Sequence, residues 1–335
     1  MATSTPPTTD ASRFAAELTR WGPQAAHDRA PDLAEAQNYC WRLATTHYEN
    51  FPVVSCFLPR NLHQHFYNVY AYCRWADDLG DEVGDFARSL ELLGWWRGEL
   101  AACYAGQTRH PVFTALLPTI REFGIPIEPF DDLISAFEQD QSVRTYETFD
   151  QLVDYCRRSA NPVGRLVLYL CRQATAANFR WSDSICTGLQ LANFWQDVSR
   201  DLEIGRIYLP LEDLRRFGYS EDELRGRVTN PAFLELMAFE VERARRWLAP
   251  WSDRSLSELA PFPLRVQVDI ELFARGGERI LDRIAGIGYR VWHKRPVVTK
   301  GDVARLFAGC LQRAILRKFR RQAPGGQEAG AMKQD

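Results

Sequence analysis

Two short stretches carry residues whose types and spacing suit chemistry. Asn193-Phe-Trp-Gln-Asp197-Val-Ser-Arg-Asp201 sets an amide and two carboxylates four residues apart, and on an α-helix residues i, i+4 and i+8 share one face. More than a hundred residues upstream, Asp77-Asp78-Leu-Gly-Asp81-Glu82 repeats the spacing with Asp77 and Asp81. The apolar run Thr187-Gly-Leu-Gln-Leu-Ala before Asn193 directs the downstream stripe inward, where carboxylates need a cationic partner. Taken alone, the upstream cluster reads equally well as a solvated helix end. Two such pairs in one helical chain point instead to polar stripes facing each other as a Mg²⁺ cage. Oxygen-only donors suit this hard ion, which keeps waters and shares its shell with substrate phosphates. There is no His/Cys set for zinc and no paired Glu-x-x-His for a di-iron centre.

The chemistry implied is departure of a diphosphate group, in which positive charge is needed where negative charge builds up. Arg74, Arg206 and His47 are candidates to supply it. Arg74 lies one turn before Asp78 and Arg206 just past Asp201, so each reads either as a diphosphate clamp or as a salt-bridge partner of the nearby aspartates. Tyr70 and Tyr155 fall on helical faces with apolar neighbours and on their own read as core tyrosines.

The elements that must position these residues are all helical. Apolar residues recur at three- and four-residue spacing over Leu33–Thr46, Leu62–Trp75, Ser89–Tyr104, Phe130–Asp140, Phe149–Arg158, Pro231–Trp247, Gln267–Ile284 and Lys300–Phe319; this is the period of an amphipathic helix. His110-Pro111 starts another, with proline at the first helical position. Asn161-Pro162 and Gly164 interrupt an apolar helix and predict a kink that opens room for a ligand. No β-alternation of useful length and no glycine-rich phosphate loop occurs. The fold class is therefore all-α, with too many helices for a four-helix bundle. Residues 1–30 read as a largely disordered N-terminal segment, 31–321 as one domain, and 322–335 as a disordered tail.

Composition bounds the partners. A net charge of −2 lacks the basic excess of a protein that binds nucleic acid through phosphates. Eight cysteines without a CxxC pair read as small buried hydrophobes of a reducing compartment, and the N-terminus lacks a signal-peptide pattern. The expected location is the cytoplasm. The basic Leu311–Arg321 segment is either a solvated terminal helix or a peripheral contact with the anionic inner face of a membrane.

At this point the residues resemble a known family. Tyr70-Ala-Tyr-Cys-Arg74-x-x-Asp77-Asp78-x-x-Asp81-Glu82 and Leu189-Gln190-Leu-x-Asn193-x-x-x-Asp197-x-x-x-Asp201-x4-Arg206-x-Tyr208-x-Pro210 look like the two signatures of the squalene/phytoene synthases, in the right order and separation. Glu49-Asn-Phe-Pro-Val53, Tyr155-Cys-Arg-Arg-Ser-Ala-Asn-Pro-Val-Gly-Arg165 and Phe273-Ala-Arg-Gly-Gly277-Glu-Arg-Ile-Leu281 are similar to the hydroxysqualene synthases of hopanoid biosynthesis. The resemblance implies an isoprenoid synthase-type helical bundle with a central cavity between two acidic helices. It implies Mg²⁺-dependent conversion of presqualene diphosphate to hydroxysqualene with release of diphosphate, and a partner synthase of the same pathway as a source of substrate. Asp77, Asp81, Asn193, Asp197 and Asp201 would hold Mg²⁺ and diphosphate, supported by Asp78, Glu82 and Gln190. His47, Arg74 and Arg206 would bind phosphate oxygens, and Tyr70 and Tyr155 would line the path of the carbocation.

Three positions depart from the general family pattern: Cys186 in place of a glycine, Gly277 where many phytoene synthases have tyrosine, and Asn161-Pro162 where Gly and a small residue are usual. They mark the hydroxysqualene branch. The alternatives are a head-to-head condensing synthase that makes presqualene diphosphate, squalene or phytoene, and a non-catalytic helical protein that binds lipid or a partner.

Overall fold

The computed structural model describes residues 10–25, 30–46, 59–258, 262 and 264–322. In chain order its helices are α1 (Asp10–Trp21), α2 (Leu33–Thr46), α3 (His63–Asp81), α4 (Phe86–Tyr104), α5 (Pro111–Phe123), α6 (Glu128–Asp140) and α7 (Phe149–Ser159). They continue as α8 (Asn161–Leu170), α9 (Ala176–Glu203), α10 (Leu211–Arg216), α11 (Glu221–Arg225), α12 (Pro231–Glu258), α13 (Leu264–Gly286) and α14 (Lys300–Gln322). Among the described residues the only β-pairing is one isolated parallel bridge between Thr145 and Ile207. The all-α expectation holds. Within the segment expected to be disordered, Asp10–Trp21 is helical, because Phe14 gains an edge-on contact with Trp75 at 5.2 Å.

Helix α3 carries the upstream acidic cluster, and its back face shows what holds it. Phe66, Val69, Tyr72, Ala76 and Leu79 recur at helical spacing and are buried. Trp75 stacks on Trp96 at 5.4 Å, and its indole N–H donates to Tyr39 Oη at 2.9 Å. The buried Tyr72 hydroxyl donates to the Phe130 carbonyl at 2.9 Å. Aromatic burial supplies most of this anchoring, and the two hydrogen bonds set its register. Tyr72→Phe removes this second hydrogen bond to a helical carbonyl and is expected to cost about 1 kcal/mol of stability, read as a lower urea midpoint at unchanged slope.

Helix α9 spans 28 residues and packs against α8, α12 and α13. Thr175 caps its start by accepting from Asn178 N–H, and Gly205, at φ 77°, ends it in the left-handed conformation that costs glycine nothing. The interruption read from Asn161-Pro162 is real: α7 ends at Ser159 and α8 begins at Asn161. There Thr187 of α9 donates to Asn161 Oδ1 at 3.0 Å, so the break is tied to the central helix.

Candidate active site

The two acidic stretches come together through one guanidinium. Arg206 Nη2 donates to Asp81 Oδ1 at 2.9 Å, joining positions 125 residues apart in the chain. Its charge also steadies the carboxylates of Asp77, Asp140 and Asp201. Arg206 is placed by the turn at Gly205 and by backbone pairing: Ile207 N–H donates to the Arg144 carbonyl at 2.8 Å and Leu211 N–H to that of Tyr146 at 2.9 Å. A cation three residues past a helix end thus closes the gap between α3, α6 and α9.

Arginines engage three further predicted ligands. Arg74 contacts Asp78 at 2.6 Å and Asp77 at 3.4 Å. Asp78 is buried against this partner. Asp197 is held bidentately by Arg295, at 2.5 Å from Nε and 2.8 Å from Nη2, the strong geometry for this ion pair. Gln196 donates to the Pro296 carbonyl at 2.5 Å, which pins the connection after α13 over the acidic end of α9 and so delivers Arg295. Among the described residues no three His, Cys, Asp or Glu side chains already converge as a metal cage; the facing stripes share arginine counter-charge instead.

Even so, several of these carboxylates are short of positive charge. Burial, then the neighbouring Asp81, raises Asp77 to about 6. Burial, then Asp197, raises Asp201 to about 7. Burial raises Asp78 to about 7 against the pull of Arg74. Oxygen-only donors that repel one another in a half-buried cleft fit a hard divalent ion. Asn193 is exposed at the same face of α9, Gln190 is half-buried on the turn before it, and Glu82 lies just past the end of α3. His47 lies outside the described residues.

Tyr70 and Tyr155 part company. Tyr70 lines an apolar cavity of about 430 Å³ enclosed by α3, α8, α9 and α13. A second cavity of about 390 Å³ meets it at Leu189 and Phe273 and reaches Asn193. Tyr155 is not among the residues lining either cavity: it lies beneath the acidic cluster, where its hydroxyl donates to Asp140 Oδ2 at 2.8 Å and its ring neighbours Tyr208 and Phe194. It supports a carboxylate that sequence reading missed. Asp140 sits inside the site, raised to about 6 by burial. Arg295 was also missed; the signal available for it was the basic run His293-Lys294-Arg295 just before Pro296.

A family model described as squalene/phytoene synthase matches residues 44–302. The chain belongs to the squalene/phytoene synthase family. It is thus an enzyme of isoprenoid biosynthesis, in a family whose reaction is head-to-head condensation of prenyl diphosphates. The 15-cis-phytoene synthase of Synechocystis sp. is 31% identical over 280 residues, covering 79% of this chain and 81% of that protein. The hydroxysqualene synthase of Rhodopseudomonas palustris is 33% identical over 256 residues, covering 74% and 84%. The crystal structure of squalene synthase HpnC from Alicyclobacillus acidocaldarius superposes with a TM-score of 0.72 at 43% identity, covering 77% of this chain and 95% of that one. Family membership accounts for an acidic cleft beside an apolar cavity, and similar identities to phytoene and hydroxysqualene synthases leave the product to be argued separately. No helix among the described residues is long and apolar enough to cross a membrane.

Proposed function

We propose that the enzyme converts presqualene diphosphate and water to hydroxysqualene and diphosphate. The observation that carries the ionisation step is the Arg206 junction, which joins the two acidic stretches two helical turns beyond Tyr70, a residue that lines the apolar cavity. Asp77, Asp81, Asn193, Asp197 and Asp201 would hold Mg²⁺, with Asp78, Glu82 and Gln190 supporting them. When bound, the ion neutralises charge on the departing diphosphate. Arg74, Arg206 and Arg295 are placed to exchange their carboxylate partners for phosphate oxygens, and His47 is assigned there from the family signature. The cavity walls keep bulk water from the cation while it rearranges, and Tyr70 presents an aromatic face to it; a single water then adds to the rearranged cation and gives up a proton, supplying the product's hydroxyl.

The choice of product rests on the tail-cavity side. A side chain at Gly277 would begin 2.7 Å from Leu189 and 3.2 Å from Leu248, so a tyrosine at this position needs both leucine tips, one on α9 and one on α12, to repack. A Cβ at Gly164 would likewise meet Cys186 Sγ at 2.6 Å, so the cysteine at 186 and the glycine at 164 belong to one packing solution. These are the positions that resemble the hydroxysqualene branch. The similarity to phytoene synthases supports the second reading, condensation of two prenyl diphosphates to presqualene diphosphate, squalene or phytoene.

Product analysis separates the two. Incubated with Mg²⁺ and presqualene diphosphate, the enzyme is expected to yield hydroxysqualene without a nicotinamide, and farnesyl diphosphate alone is expected to give no C30 lipid. Conversion of farnesyl diphosphate with presqualene diphosphate left untouched would overturn the choice in favour of the condensing reading. Supply of the substrate by a partner synthase, and a resting place for the basic C-terminal helix on the inner face of a membrane, complete the proposal.

A further inference from the structure

The large cavity is walled almost wholly by apolar side chains, yet Asp269 of α13 is among the residues lining it. Asp269 is 4% exposed, and among the described residues neither of its carboxyl oxygens has a hydrogen-bond partner. Burial pushes its carboxyl up to about 8, so near neutral pH the neutral acid predominates. That form still carries one donor and acceptor capacity to satisfy, and whatever fills the cavity must satisfy them.

Helix registers give its depth. Helices α9 and α13 run side by side in the same direction: Gly277 abuts Leu189, Asp269 shares one cavity lining with Trp181 and Ile185, and Ile280 shares the other with Asn193 and Gln196. Asp269 precedes Gly277 by eight residues and Leu189 precedes Asp197 by eight, each span being about 12 Å of helix. Helix α8 supplies an independent bearing. It runs opposite to α9 from Asn161, beside Thr187, and Cys171 just past its far end feels the charge of Asp269. The acid therefore lies at the floor, roughly 24 Å below the acidic cleft.

We propose that Asp269 gauges prenyl chain length: its carboxyl keeps water at the cavity floor, and tails that stop short of that water are preferred. The inference rests on the reading of this site as one for prenyl diphosphates. An extended chain advances about 1.2 Å per bond, so a C15 tail spans about 14 Å and a C20 tail about 19 Å on the same measure. With a diphosphate adding about 5 Å by the same bond lengths, the longer chain reaches the acid and the shorter one does not. A longer tail expels the water and returns no hydrogen bond, the unfavourable case for a buried polar group. Presqualene diphosphate carries tails of the C15 series.

The test is equilibrium binding of the unreactive thiodiphosphate analogues of farnesyl and geranylgeranyl diphosphate to the full-length protein with MgCl₂. The readout is tryptophan fluorescence, since Trp181 lines the cavity. Wild type is expected to prefer the farnesyl analogue by about tenfold, the scale of one unsatisfied buried group. Asp269→Asn keeps a polar floor of the same shape and should hold that preference within about threefold, whereas Asp269→Leu, with the same branching, should lose it. Asp269→Ala serves as a second apolar variant, and circular dichroism verifies folding. A folded Asp269→Leu or Asp269→Ala protein with the wild-type preference, or a wild type that does not discriminate, overturns this inference and leaves the functional reading standing. Wild type that binds neither analogue overturns that reading and this one with it.

Discussion

Asp197→Ala is expected to lower turnover of the prenyl diphosphate by about a thousandfold while the protein still unfolds cooperatively at nearly the same urea concentration. The kinetic part follows from position: Asp197 is the middle of the Asn193, Asp197, Asp201 stripe, and removing one preorganised charge from a site that stabilises a leaving group costs 10²–10³ in rate. The stability part follows from two opposing changes. The variant strands Arg295, which loses both hydrogen bonds, but that guanidinium is about one-third exposed and water can replace its partner. It also relieves Asp201 of the like charge that helps hold its carboxyl at about 7. Wild-type activity should itself fall as pH drops from about 8 to 5, because Asp201 and Asp77 take up protons near 7 and 6 and then offer fewer anionic donors. Steady-state kinetics across that range, with urea melts of both proteins, check the result. Unchanged turnover in Asp197→Ala would refute the metal assignment.

What the sequence made legible, and what it hid, divides along a physical line. Periodicity is a local property, so helices such as Leu33–Thr46 and the interruption before Asn161 could be read directly. Ligand stripes at i, i+4 are local too, which is why Asp77, Asp81, Asn193, Asp197 and Asp201 stood out before any coordinates. Pairings between distant segments leave no such mark. Arg295 meets Asp197 across 98 residues, and Asp140 ends an ordinary amphipathic helix whose last residue happens to meet Tyr155 and Arg206. Tyr155 shows the limit from the other side: it matches a family motif, yet its hydroxyl is engaged by Asp140 and it stands apart from both cavity linings. The helix at Asp10–Trp21 escaped notice because the Thr/Pro-rich stretch before it dominates composition there, while Phe14 finds its partner, Trp75, only in the folded state.

Arg206→Gln is expected to reduce turnover by at least a hundredfold and, unlike Asp197→Ala, to destabilise the fold in a pH-dependent way. Asp77, Asp140 and Asp201 titrate at about 6, 6 and 7 in the folded protein, above the ordinary carboxylate value of about 3.9 in an unfolded chain. Groups raised in this way bind protons more tightly in the native state, so the stability they contribute is present at low pH and is lost as pH rises through 6 to 7. Arg206 opposes that loss, since its guanidinium pulls each of these carboxyls downward and bonds Asp81 directly. Without it the three values move up and the loss deepens at higher pH. Arg206 is 15% exposed and Asp81 44%; discounted for that exposure, the deficit should be about 2 kcal/mol at pH 8 and close to zero at pH 5. Urea melts at the two pH values measure it, and an equal deficit at both would mean that Arg206 acts through packing rather than charge. Added Mg²⁺ gives a second reading of the same electrostatics. If carboxylates of both stretches share the ion, 10 mM MgCl₂ at pH 8 should recover part of the stability lost in Arg206→Gln, because a ligand that binds only the native state stabilises it by mass action. At pH 5, where protons compete for the same oxygens, the ion should recover little.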